Sequence, residues 1–362
     1  MKTALVHDWL IGIAGGEKVS DSILQVYPAD IYTLVHDPKA MEGTIFHNFN
    51  ITTSLIQDLP MGVKKYKSYL PLFPFAIEQF DLSGYDLVLS SSFCVAKGAL
   101  THHYQKHICY CHSPIRYAWD MYFTYLKEAN LEKGLKARIA QYFLHRIRMW
   151  DVASANRVDH YIANSTFVAQ RIKKIYNREA AVIHPPVDTQ NFALKTHKEE
   201  FYLTASRMVP YKKIDLIAEA FSQMPDKKLI IIGDGSEMAK VKKVSKGNIE
   251  ILGYQGNNVL IDYMQRAKGF VFAAEEDFGI MPVEAQACGT PVIAFGRGGV
   301  LDSVKDGQTG TFFKEQSVDE IINAVKKFET MNFDYEAIRK HAETFDTEMF
   351  KLKFKEFVNT KI

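Results

Sequence analysis

Cysteine is scarce. Cys94, Cys109, Cys111 and Cys288 are the only four in 362 residues, and all sit in apolar or strand-like surroundings. That excludes a disulfide scaffold. Net charge is small as well, at +2, which argues against a bulk electrostatic nucleic-acid binder. No apolar run approaches the ~18 residues needed to cross a bilayer. The opening Met1-Lys-Thr-Ala-Leu-Val-His-Asp8 meets an acid too soon for a secretory leader, so a cytoplasmic location is expected. Fixed-period repeats and low-complexity tracts are missing. Zinc-type spacing is missing too. His102, His103, His107, Cys109, Cys111 and His112 lie close together, but Cys-x-Cys is not a usual zinc pair and no second ligand pair follows. Buried small side chains on a strand account for the segment, and no metal site is expected.

What is present suits a globular enzyme. A hydrophobic fraction of 47% over 362 residues supports two domains with sizeable cores. Thr3–His7 reads as a strand, followed by a glycine-bearing loop and a helix from about Glu17 to Tyr27. Short apolar runs recur at Asp30–Val35, Asp86–Ser90, His107–Cys111, His160–Ala163 and Ala181–Ile183. Their length and β-branched content predict buried parallel strands. His184-Pro-Pro-Val-Asp-Thr-Gln-Asn-Phe192 interrupts this pattern, since consecutive prolines fit neither a helix nor a central strand. A second alternation follows, with strands expected at Phe201–Ala205, Lys228–Ile232, Ile249–Leu252, Gly269–Ala273, Pro291–Phe295 and Gly310–Phe313. The chain thus reads as an α/β protein with two Rossmann-like domains. Residues 1–184 form the first, 185–195 a linker and 196–335 the second. A C-terminal helix over 336–362 is expected to pack back on the first domain. Two such sheets predict a cleft between their carboxyl ends, where ligands of open α/β sheets bind.

Three constellations carry chemistry. Gly12-Ile-Ala-Gly-Gly-Glu17 follows the first strand and precedes a helix. Glycines there let backbone approach a ligand, and helix-start amides attract phosphate, although a glycine turn is often structural. Ser206-Arg207-Met-Val-Pro-Tyr-Lys212-Lys213 follows the second domain's first strand. Its Arg offers a fork of donors and its Lys a point charge, a pairing suited to a diphosphate. The third is Ala274-Glu275-Glu276-Asp277-Phe278-Gly279-Ile280-Met-Pro-Val-Glu284-Ala-Gln-Ala-Cys-Gly289. A helix is expected to begin near Ile280, with Pro282 in its first turn and Gly289 just past its end. Its carboxylates suit sugar and ribose hydroxyls, and its free N-terminal amides suit an anion.

This third string resembles the carboxylate–x7–carboxylate motif of retaining family 4 glycosyltransferases, which have the GT-B fold. The resemblance extends over nearly the whole chain, through Cys111-His112-Ser-Pro-Ile-Arg-Tyr-Ala-Trp-Asp120, Asn164-Ser165, Pro185-Pro-Val-Asp188, Arg207 with Lys212, Gly233-Asp-Gly235 and Thr309-Gly-Thr-Phe-Phe313. It is greatest toward bacterial and archaeal mannosyltransferases of O-antigen and capsule-type glycan assembly. The resemblance implies that Gly15 and Gly16 contact donor phosphates and that His112 hydrogen-bonds the transferred sugar near its 6-hydroxyl. By the same resemblance Arg207 and Lys212 hold the diphosphate, with Phe278, Gly279 and Ile280 beside it. Glu276 then takes the sugar's 3- and 4-hydroxyls and Glu284 the ribose. Glu275 adjoins Glu276, but counting eight back from Glu284 selects Glu276.

The implied reaction is metal-independent transfer of a hexose, mannose from GDP-mannose by resemblance, to a glycan acceptor that is lipid-linked. No cofactor is expected beyond the nucleotide-sugar substrate. Transfer driven by a UDP-sugar, a GT-B sugar-nucleotide epimerase and a catalytically silent nucleotide- or glycan-binding subunit remain alternatives. Met61–Phe75, with Lys64, Lys65 and Lys67 among aromatics, and the basic stretch Lys133–Trp150 suit peripheral contact with an anionic membrane at its inner face. A solvated helix face and a packed loop are the alternative reading of both stretches.

Overall fold

The computed structural model describes all 362 residues. The chain divides into two compact units, Met1–His184 with Phe350–Ile362 as unit 1 and Pro185–Met349 as unit 2.

Unit 1 is built on a seven-stranded sheet of β1 (Thr3–His7), β2 (Asp30–Thr33), β3 (Ile51–Thr53), β4 (Leu87–Ser92), β5 (Lys106–Cys111), β6 (His160–Ala163) and β7 (Ala180–Val182). The spatial order is β3-β2-β1-β4-β5-β6-β7, and neighbouring strands run parallel throughout. A parallel sheet is covered on both faces, so its central strands bury both sets of side chains. In β1 Leu5 packs on one face with Ile23, Leu89 and Tyr110, while Ala4 and Val6 pack on the other with Phe73 and Val88. In β5 the same alternation sends Tyr110 to the first face and Cys109 and Cys111 to a cluster with Val168 and Ile172.

Unit 2 repeats the scheme with β8 (Glu199–Ala205), β9 (Lys228–Ile232), β10 (Ile249–Gly253), β11 (Ala267–Phe272), β12 (Val292–Phe295) and β13 (Gly310–Phe313). Their order is β10-β9-β8-β11-β12-β13, again parallel. In each unit the strand order reverses once, between β1 and β4 and between β8 and β11. Loops on the two sides of such a switch point diverge to opposite faces and leave a crevice beyond the strand ends.

The structure departs from the sequence expectation in three places. Strand β3 is only three residues long and has no apolar run to announce it. The stretch 185–195, expected as a linker, packs within unit 2, where Val187 pairs with Asp346. That pairing also divides the single helix expected over 336–362. Val187 N–H donates to Phe345 O at 3.0 Å and Thr347 N–H to Val187 O at 3.2 Å, so the backbone at Asp346 is extended. Two helices result, Tyr335–Ala342 in unit 2 and Thr347–Asn359, most of which lies in unit 1. The second buries Phe350, Phe354 and Val358 against Leu5, Ile31 and Tyr110. Burial of three such side chains contributes on the order of 6 kcal/mol, enough to dock the chain's end.

Candidate functional site

The expected site residues fall into two groups, one in each unit, beyond the carboxyl ends of strands at or next to a switch point.

In unit 2 the loops after β8 and β11 carry the charged groups. Arg207 lies two residues beyond β8, exposed, and its side chain takes no hydrogen-bond or ion-pair partner within the chain. Lys212 closes the same loop in a helical turn, Pro210–Lys212. Its ammonium is ion-paired with the Glu276 carboxylate, which lies in the loop after β11. Glu275 is exposed. The structure thereby separates the two adjacent acids: Glu276 meets Lys212, and Glu275 has no such pairing.

Glycines explain how these loops reach their positions. Gly233 and Gly235, after β9, have φ of +137° and +153°. A Cβ on Gly233 would lie 1.8 Å from Ser206 O, and one on Gly235 2.5 Å from Met208 O. The β9 loop therefore lies directly against the Arg207 loop. Met208 N–H donates to Asp234 O at 2.8 Å and Glu237 N–H to Met208 O at 2.9 Å. The Glu276 loop is backed in the same way by Gly298 and Gly299. Their added Cβ atoms would meet Glu276 O at 2.5 Å and Asp277 O at 2.2 Å, and Gly299 N–H donates to Glu276 O at 2.8 Å. Gly298 and Gly299 do not figure in the sequence reading. Two adjacent glycines between a strand and a helix were the signal available.

Helix Ile280–Ala287 begins where the proline and glycine punctuation predicts, with Gly279 at φ +85° as its N-cap. The first amides of a helix have no intrahelical partner. Pro282 lacks one altogether, which leaves those of Ile280 and Met281 available to an anion. Phe278 is buried against Phe345, ring centres 5.7 Å apart. Glu284 is buried on the helix.

In unit 1 the loops after β1 and β4 are joined through a buried acid. Asp8 accepts N–H bonds from Phe93, Cys94, Val95 and Ala96 at 2.6–2.8 Å. Burial pushes its carboxyl up from the usual range, while the amides and His7 favour the charged form. Gly15 and Gly16 open helix Gly15–Val26, and Glu17 closes its first turn by accepting from Ala14 N–H at 2.9 Å. Glu17 also meets His7 Nε2 at 3.3 Å. A Cβ on Gly16 would lie 3.2 Å from the Phe93 ring. That ring also packs edge-on against His7 at 5.7 Å and His112 at 5.8 Å. Phe93 thus brings the glycine turn and His112 together, a link the sequence did not reveal because Phe93 lies nearly eighty residues from one and about twenty from the other.

His112 follows β5, part-buried. Its Nε2 is 2.8 Å from Ser91 Oγ and its carbonyl accepts from Asn164 Nδ2 at 3.0 Å. Its one side-chain hydrogen bond is through Nε2, which leaves Nδ1 without a hydrogen-bond partner in the chain. Burial, assisted by nearby His7, pulls its pKa down to about 3, so the ring is neutral at physiological pH. His107, fully buried with Nε2 at 2.8 Å from Ser90 Oγ, is pulled down to about 4 by burial.

These shifts have a stability consequence. Below about pH 6.5 the unfolded histidines bind protons that the folded ones refuse, so stability is complete above that pH and is lost as pH falls toward 4. His107 alone accounts for about 3 kcal/mol of that loss. Urea unfolding at pH 7 and pH 4.5 should therefore show a difference that shrinks in His107→Leu. An undiminished difference would assign the acid sensitivity to other groups.

Residues 30–191 match the family described as Glycosyltransferase Family 4, and residues 187–345 that described as Glycosyl transferases group 1. A D-inositol 3-phosphate glycosyltransferase of Mycobacterium marinum is 28% identical over 224 residues, 53% of this chain and 48% of that protein. The chain thus spans about half the length of this curated relative. The Anabaena protein HepE, solved with UDP, superposes with a TM-score of 0.71 at 16% identity, over 99% of this chain and 100% of that one. Sucrose-phosphate synthase from Thermosynechococcus elongatus gives 0.71 at 17% identity, over 99% of each chain.

Proposed function

Because the chain belongs to the group 1 and family 4 glycosyltransferases of GT-B fold, we propose that it transfers a hexose from a nucleoside diphosphate sugar to a hydroxyl acceptor, with retention and without a divalent metal. The observation that carries this reading is the Lys212–Glu276 ion pair, set at the β8/β11 switch point in a loop that also presents an unpaired Arg207. Departure of a nucleoside diphosphate from an anomeric carbon develops positive charge on the sugar and negative charge on the leaving phosphate. Arg207, Lys212 and the amides of Ile280 and Met281 stabilise the latter, the task a divalent metal performs in other transferases. Glu276 exchanges its lysine partner for the sugar's hydroxyls when donor binds, which releases Lys212 toward the diphosphate. His112, held through Nε2 by Ser91, offers Nδ1 to the sugar.

The donor we favour is GDP-mannose, on the resemblance around His112–Asp120 and Glu276–Glu284. A UDP-hexose is the second reading, favoured by the UDP and UDP-glucose complexes of HepE. Calorimetric titration with GDP and UDP separates them. Tighter UDP binding, with turnover of a UDP-sugar and none of GDP-mannose, rejects the first reading. The same turnover assay in excess EDTA should run at full rate. Loss of activity restored by magnesium or manganese rejects metal independence. Failure to turn over any sugar nucleotide would leave a silent binding subunit, and release of free sugar with epimerisation would indicate an epimerase.

The acceptor we favour is a lipid-linked glycan reached from the inner face of a membrane. The name of the mycobacterial relative makes an inositol phosphate the competing acceptor. No helix is long and apolar enough to cross a bilayer, and the contact proposed is peripheral. Helix Leu135–Ala155 supplies it: Leu135, Ile139, Tyr142 and Met149 recur at helical spacing and are 75%, 49%, 59% and 53% exposed. Lys136, Arg138 and Arg146 accompany them, with no acid between Leu135 and Trp150, while Arg148 is held inward by Ala118 O and the Tyr122 ring. An all-basic face opposes self-association and suits an anionic lipid surface. Lys64, Lys65 and Lys67 add charge of the same sign. Co-sedimentation with anionic vesicles should fall as added salt shortens the Debye length below its physiological value of about 8 Å. Equal recovery with neutral vesicles, or no binding, rejects the contact.

A further inference from the structure

The chain passes between the units twice, at His184/Pro185 and at Met349/Phe350. Within unit 1 both crossings rest on one side chain. Tyr110, fully buried in β5, donates its hydroxyl to Ile183 O at 2.9 Å, one residue before the first crossing. Its ring packs edge-on against Phe350, the first residue after the second crossing, with centres 5.7 Å apart. The same ring meets the ring of His112 at 5.0 Å. Nothing in the packing of a strand requires this convergence. A leucine at position 110 would fill the core, but it has no hydroxyl to hold Ile183 and no ring edge to set the imidazole plane.

Within unit 2 the continuations of the same two segments are laced together. Val187 pairs with Asp346, Thr189 Oγ1 donates to the Asp346 carboxylate, and Phe345 packs on Phe278. Phe278 lies in the loop that carries Glu276, immediately before the N-cap of helix Ile280–Ala287. Each of these contacts lies inside one unit, and the chain itself runs from one set to the other at both crossings.

We propose that Tyr110 is a positioning residue, which ties the orientation of the His112 ring to the two crossing segments and through them to the Phe278 loop. This rests on the sugar-transfer reading for the roles of His112 and Glu276. Ordering of the Phe278 loop by a nucleoside diphosphate then alters the crossing segments, and Tyr110 delivers that change to the imidazole. Coupling of this kind requires contiguous packed groups with a defined geometry, and each link here is a specific hydrogen bond or ring contact.

The test is a double-mutant cycle. Tyr110→Phe keeps the ring and deletes the bond to Ile183, while Phe345→Leu loosens the contact to Phe278. Each should lower kcat for turnover of GDP-mannose or UDP-glucose by about fivefold to tenfold, the scale of one lost hydrogen bond. The affinity for GDP or UDP should stay within about twofold, since the nucleotide groups are untouched. The double variant should lose little beyond either single one, because both cut the same connection. Additive losses overturn the proposal, as does wild-type kcat in a folded Tyr110→Phe enzyme with a lowered Tm, the result of a purely structural role. A wild-type protein that turns over no sugar nucleotide would fail the transfer reading instead. Hydrogen exchange on the ligand-free protein then decides the coupling. The His112 amide donates to Ser92 O at 2.8 Å and should exchange faster in Phe345→Leu, but no faster in the double variant than in Tyr110→Phe. Unchanged exchange at His112 in Phe345→Leu overturns the coupling whatever the enzyme's activity.

Discussion

Arg207→Ala is expected to lower kcat for sugar transfer by about a hundredfold to a thousandfold, the usual effect of removing one preorganised donor from a developing negative charge. The variant is unusually clean. The Arg207 side chain is exposed and has no partner in the chain, so its removal leaves no buried charge and no cavity. Ground-state affinity for GDP or UDP should weaken less than kcat, because the phosphate carries less charge before the bond breaks. Lys212→Ala should act in the same direction but with an added component, since it strands Glu276 without its cation. Glu276→Ala should behave differently from both. On the proposed reading Glu276 competes with phosphate for the Lys212 ammonium it pairs with, so its loss should leave free nucleotide binding as tightly as in wild type, or tighter, while transfer collapses. Steady-state kinetics beside calorimetry on the three variants reads these patterns directly. A Glu276→Ala enzyme with near-normal turnover would move the sugar site elsewhere. So would a folded Arg207→Ala enzyme that transfers at the wild-type rate.

The second large effect is structural. Gly233→Ala should destabilise unit 2 by on the order of 3 kcal/mol or more and abolish nucleotide binding. Its backbone has φ of +137°, and the new methyl would lie 1.8 Å from Ser206 O. Neither the conformation nor the contact can be relieved without moving the Arg207 loop. Gly247→Ala is the matched control. It has no neighbour within 4 Å of an added Cβ and no positive φ, so it should stay within about 0.5 kcal/mol of wild type. Thermal unfolding of both variants, with GDP and UDP titration on whatever remains folded, checks the pair. A Gly233→Ala protein with wild-type Tm and nucleotide affinity would show that the loop yields at little cost.

Much of this molecule is legible in its sequence because parallel strands bury both faces. Runs such as Lys228–Ile232 and Gly310–Phe313 appear as strands of the same bounds, since a short apolar run with punctuation at both ends has few other solutions. Strand β3 and the break at Asp346 were illegible for the opposite reason. Each depends on a backbone partner distant in sequence, Asp30–Thr33 in one case and Val187 in the other, and no local pattern records such a partner.

The sequence by itself determined the two α/β alternations, the glycine and proline punctuation around helix Ile280–Ala287, and the string of residue types that suits a sugar and a diphosphate. These follow from local periodicity and chemistry, which each residue carries with it. Tertiary structure alone decided that Lys212 pairs with Glu276 and not with Glu275, that Phe93 brings Gly16 to His112, and that Tyr110 underlies both crossings of the chain. The physical reason is the order in which strands are laid down in each sheet. Parallel neighbours such as β8 and β11, or β1 and β4, lie side by side while more than sixty residues apart in the chain. Which loops meet at the switch point is therefore set by the packing of whole crossovers, not by any segment a local reading can inspect.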